Sequence, residues 1–105
     1  MQPFKIKLIE FIDELFSNFE NHKFLLKKII YYRHLVNNKF EEDELHDLLV
    51  NFTTDEKIKL MIKTQNCKFL KNTNLESDAD LLWESCAFKN RAVIWKWIEA
   101  IVNEL

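Results

Sequence analysis

No glycine occurs anywhere in this 105-residue chain, and proline occurs once, at Pro3. Glycine supplies the positive φ of tight hairpin turns and lets a backbone approach a phosphate closely. A chain without it is poorly suited to β-hairpins and has no Gly-rich phosphate loop, which removes the Rossmann and P-loop readings. Helices remain, because they need unusual backbone angles only at their ends. The expectation is an all-α fold: a compact single-domain bundle of five or six helices spanning residues 1–105.

Apolar spacing supports that expectation. Phe4, Leu8, Phe11, Ile12, Leu15 and Phe19 recur at three- and four-residue steps after Pro3, which a first helical turn tolerates. This predicts an amphipathic helix of about four turns. A second run, Lys23 to Val36, is apolar on most sides and therefore reads as a central helix, with Asn37 and Asn38 as a left-handed stop. Leu45, Leu48, Leu49 and Phe52 mark a third helix over 41–52, its acidic first turn matching the helix dipole. Thr53 and Glu56 have the form of a capping box and predict a fourth helix burying Ile58, Met61 and Ile62 and ending between Thr64 and Lys71. "KNTNLESDAD" reads as a loop in which Ser77 or Asn74 caps the next helix. From Ser77 to Leu105 the pattern predicts two helices with a break near Asn90, or one long kinked helix.

Trp95 and Trp97 pose the sharpest local question. Two residues apart on a helix, they point roughly 200° away from each other. Trp97 shares a face with Ile94, Ile98, Ile101 and Leu105 and reads as core. Trp95 lies with Phe88, Ala92 and Val102. Either the last helix is wedged between two layers, or Phe88, Trp95 and Val102 form an exposed apolar patch.

Motifs for chemistry are few. His22, His34 and His46 are joined by no local motif to Ser17, Ser77, Ser85 or Cys86, and Asp43 three residues before His46 is ordinary helix decoration. Cys67 and Cys86 stand alone, without the paired short spacings of a zinc site. Cys86 reads as core and Cys67 as a loop or helix-end thiol. The reading is a non-enzyme with no cofactor, no metal and no small-molecule substrate. No run reaches the roughly 18 apolar residues of a membrane span, and no signal peptide is evident, so a cytoplasmic setting without membrane association is expected. Thirteen Lys against two Arg, with ten Asn and ten Ile, is the bias of an AT-rich coding sequence.

Charge carries the remaining signal. Glu41, Glu42, Asp43, Glu44 and Asp47 form one dense acidic group, and Glu76, Asp78, Asp80 and Glu84 another, in a chain of net charge −2. Helix starts explain part of this; mutual repulsion of four consecutive carboxylates is relieved by a basic partner, whose approach it also steers. With Trp83 and Trp95 as aromatic anchors, these residues compose the expected partner-binding surface. The function that follows is a non-catalytic protein-binding domain that neutralises one partner, such as a basic toxin or nuclease, in the manner of an immunity protein, antitoxin, or phage or viral inhibitor. Nucleic acid is the less favoured partner; it would use the lysine strip Lys57, Lys59, Lys63, Lys68 and Lys71 beside Phe69, although only two arginines are present to read base edges. A third reading is a helical adaptor that self-associates through its last helix.

Overall fold

Pro3 opens the first helix, α1 (Pro3–Asn18), because its missing N–H is one that a helix start leaves unpaired anyway. The computed structural model describes residues 1–105, the side chain of Phe88 excepted. The stripe read from the sequence is the buried face of α1, with Phe4 fully enclosed and Ile12 and the following Phe19 buried. α1 lies between α2 (Lys23–His34) and the last helix, α6 (Phe88–Asn103), and α2 in turn packs on α5 (Glu76–Glu84). α3 (Glu42–Thr53) packs on α4 (Glu56–Lys63), and a short 3₁₀ turn, Cys67–Leu70, joins α4 to α5. Six α-helices and no strand among the described residues make this an all-α bundle, with a radius of gyration of 13.3 Å.

α2 is not central. Leu25 and Ile29 are buried against its neighbours, but Phe24, Ile30 and Tyr31 are 53%, 50% and 55% exposed. α1 and α5 are the helices packed most closely on it, and its third side faces water however apolar it is. Its start is capped by His22, whose Nδ1 accepts from the Leu25 N–H at 3.2 Å. Asn37 and Asn38 do not form a left-handed stop. The chain instead loosens into one π-turn, Leu35–Lys39, closed by the Phe40 N–H on the Leu35 oxygen, and this turns Val36 into the core.

Three other helix ends differ from the expectation. Thr53 belongs to the last turn of α3 and its hydroxyl donates to the Leu49 oxygen at 2.8 Å, so it is unavailable as a cap. Asp55 caps α4 instead, accepting from the Lys57 and Ile58 N–H groups. Neither Ser77 nor Asn74 caps α5; the Thr73 hydroxyl accepts from the Leu75 N–H, and Glu76 reaches back to the Asn72 N–H. The break between α5 and α6 comes at residues 85–87, earlier than Asn90, because Cys86 is drawn into the core. Arg91 secures that corner: its Nη2 donates to the Trp83 oxygen at 3.0 Å while the guanidinium lies over the Trp83 ring.

Two residues take the strained backbone that glycine would otherwise occupy. At the end of α4, Gln65 has φ 55°, with its own N–H on the Ile62 oxygen and the Asn66 N–H on the Met61 oxygen, a complete Schellman motif. Asn72, φ 68°, turns the loop before α5.

Candidate functional site

The fate of Trp95 decides how the site is built. It is 6% exposed and packs edge-on to Trp83, with ring centres 5.7 Å apart, and at the same distance from Phe69, which leans toward Phe52. α6 is thus wedged between α1 on one side and the 3₁₀ turn with α5 on the other, and Trp95 is interior and unable to anchor a partner on this surface. Trp97 is half-buried, stacked on Phe11 of α1. Of the alternative patch, Val102 is half-buried, and the side chain of Phe88 lies outside the described residues.

Where α1, α3, α6 and the 3₁₀ turn converge, their apolar faces do not close. They leave a groove of about 500 Å³, walled by Leu8, Leu48, Phe52, Phe69, Leu75 and Ile98 among others. No titratable side chain lines it. Its hydroxyls are already engaged: Thr53 donates to the Leu49 oxygen and Thr73 to the Leu70 oxygen. At its lip Leu48 is 50% exposed and Leu75 is exposed as well. The surface is one that takes up apolar groups and holds them by burial, with no group to react with them.

The carboxylates expected to bind a partner divide into engaged and unengaged sets. Glu42 accepts from the Gln2 backbone N–H and Asp43 from the Gln2 side chain at 3.1 Å, tying the start of α3 to the start of α1. Glu41 and Glu44 are exposed and in no ion pair among the described residues. Asp47 is exposed, 3.9 Å from the His46 ring. In the second group, Asp78 accepts from the Tyr32 hydroxyl and lies 3.8 Å from Lys28, bridging α5 to α2. Burial, the hydrogen bond to Asp78 and its charge together raise the Tyr32 phenol well above its ordinary value of 10.0. Asp80 pairs with Lys68, Glu76 caps the Asn72 turn, and Glu84 is exposed. Of these two acidic groups, Glu41 at the cap of α3, Glu44 within α3 and Glu84 on α5 are left exposed and without an ion pair or side-chain hydrogen bond among the described residues. One helical turn separates Glu44 from Leu48, which places a charge beside the open lip of the groove.

The remaining candidates are dispersed. His22 is a helix cap, His34 meets Asn38 and His46 meets the Leu105 oxygen while packing on Phe4. No three His, Cys, Asp or Glu side chains converge among the described residues. Burial pushes the Cys86 thiol above its usual value, against the opposing pull of Arg91, so it is an unreactive core group. In the lysine strip, Lys57, Lys59, Lys63 and Lys71 are exposed, but Lys68 is paired and Phe69 turns inward, leaving the strip without its stacking ring. A second groove, of about 560 Å³ between α1, α2 and the π-turn, mixes apolar Phe16 and Ile30 with polar side chains and is crossed by the Arg33–Asp13 ion pair at 2.8 Å. No helix is long and apolar enough to cross a membrane.

Sequence reasoning missed the groove because Leu48 belongs to the same i, i+3, i+4, i+7 pattern as Leu45, which is buried. The spacing says which face is apolar; only the neighbours say how far along it is covered. Comparison of the chain with protein-family models, with curated proteins and with solved structures finds no match.

Proposed function

We propose that this chain is a non-catalytic protein-binding domain that takes a basic, amphipathic segment of one partner into the apolar groove and neutralises that partner by occupancy. The supporting observation is the adjacency, on one face of α3, of the half-exposed Leu48 at the lip and the unpaired Glu44 one turn before it, with Glu41 exposed at the cap of the same helix. An apolar group entering the groove gains burial, worth about 1 kcal/mol at Leu48 alone for the half of that side chain left to cover. Cations on the same segment meet the carboxylates, which steer the encounter and set its register more than they add affinity. An immunity protein, antitoxin or viral inhibitor works this way: the partner's active or binding surface is covered, and nothing is turned over. Such a partner is a protein with a basic surface.

Partner capture from source cells compares wild type with Leu48→Asp and with the Glu41→Lys, Glu44→Lys double variant. All three positions are exposed or half-exposed, so the fold is retained and far-UV circular dichroism checks it. The expected result is one protein retained by wild type and by a Glu84→Lys control, and lost from both groove variants. Retention undiminished by either change removes this surface from the function. Salt-sensitive retention of nucleic acid in place of a protein would move the activity to the lysines of α4.

A further inference from the structure

The groove asks for an occupant that is apolar and basic on one helical face, and the chain itself carries one. From residue 21 to residue 40 there is no carboxylate, while Lys23, Lys27, Lys28, Arg33 and Lys39 supply five cations to a molecule of net charge −2. The inner side of α2 is taken: Leu25 and Ile29 are buried, and Tyr32 and Lys28 are held by Asp78. What α2 leaves to water is Phe24, Ile30 and Tyr31, each at least half exposed, with Lys23 and Lys27 among them. Exposed apolar groups gathered on one helix face mark a contact surface.

We infer that a second copy of this chain fills the groove with the outer face of its α2, so that the protein self-associates head to tail. The two faces match in spacing as well as in character. Lys27 and Tyr31 stand at i and i+4 on α2, and Glu44 and Leu48 stand at the same offset on α3. Laid side by side in the same direction, the two helices bring Lys27 against Glu44 and Tyr31 onto Leu48. An anionic membrane would satisfy the α2 lysines and rings but would leave the carboxylate-edged groove unanswered. A second copy satisfies both surfaces with one contact. Because the two surfaces differ, the contact is heterologous and extends into chains or rings. The inference rests on the groove being the docking surface proposed above, and it makes self-association a competitor of partner binding at that surface.

Light scattering on the purified protein, with no partner present, tests it. At low salt the average mass rises from that of the 12.8 kDa monomer as concentration goes from micromolar to millimolar, and the rise is suppressed at high salt. Tyr31→Asp removes the inserting face and Leu48→Asp removes the receiving one; each variant alone stays monomeric, having lost more than about tenfold in affinity. An equimolar mixture of the two has one intact face of each kind and gives a dimer that goes no further. Wild type that stays monomeric at millimolar concentration overturns the inference, and so does a mixture that fails to pair. Binding of wild type to phosphatidylserine vesicles without self-association overturns it in favour of the membrane. None of these failures touches partner capture, which is read separately with Leu48→Asp.

Discussion

Replacing Gln65 with glycine should stabilise this protein, and the backbone gives the size of the effect. Gln65 sits at φ 55° in the closing position of the Schellman motif after α4. An L-residue with a Cβ pays about 1–2 kcal/mol to be there, and glycine pays nothing. Glycine also frees the unfolded chain, which returns about 0.4–1 kcal/mol in the opposite direction. The Gln65 side chain is exposed and makes no hydrogen bond among the described residues, so no packing is lost. The net gain is about 0.5–1 kcal/mol, which for a chain this long raises Tm by about 2–5 °C. Urea unfolding should show a higher midpoint with an unchanged slope, since the surface exposed on unfolding is the same. Gln65→Ala is the control: it keeps the Cβ and should gain nothing. A Gln65→Gly variant no more stable than wild type, or an alanine variant equally stabilised, would refute the strain argument.

Other perturbations have equally definite outcomes. Trp95→Ala should cost about 3–5 kcal/mol in chemical denaturation, because it opens a cavity between Trp83 and Phe69; a cost near zero would mean that the ring is not interior. His22→Asp should stabilise by about 0.5–1 kcal/mol, since a carboxylate is the better cap and complements the dipole of a helix with no acidic residue in its first turn; unchanged stability would show that the His22 bond to Leu25 is not the feature holding that end. Tyr32 keeps its proton more tightly folded than unfolded, so its contribution is complete below pH 10.0 and declines as pH rises through the higher folded value. Tyr32→Phe should flatten that alkaline decline in a pH series of thermal melts, and a decline of unchanged slope would exclude Tyr32 as its source.

Much of the helical framework can be read without coordinates. α1 follows its stripe from Phe4 to Phe19, and the acidic run at 41–44 does open a helix. Helix ends were harder to read, because several groups compete for the same bond: Thr53 is a plausible cap until its hydroxyl is seen on the Leu49 oxygen, which leaves Asp55 the role. Of the expected binding residues, Glu44 stands free one turn from the groove lip and Glu41 free at the helix cap, whereas Asp78 and Asp80 are spent on cross-ties and Trp95 is enclosed. A carboxylate that ties two helices together and one that awaits a partner look alike in a sequence. The Tyr32 hydroxyl that engages Asp78 lies 46 residues away, beyond any local pattern.

Local chemistry alone determined that this chain is helical. Without glycine, and with apolar residues at three- and four-residue steps, the backbone can satisfy its own hydrogen bonds in helices and has little means of turning back as hairpins. Which parts of each apolar face are covered was decided only by the packing of helices distant in sequence. Periodicity points a side chain toward a direction; whether anything stands there depends on the other elements. That is why Trp95 is inside, why Phe24, Tyr31 and Leu48 are not, and why the open groove lies where α1, α3 and α6 meet.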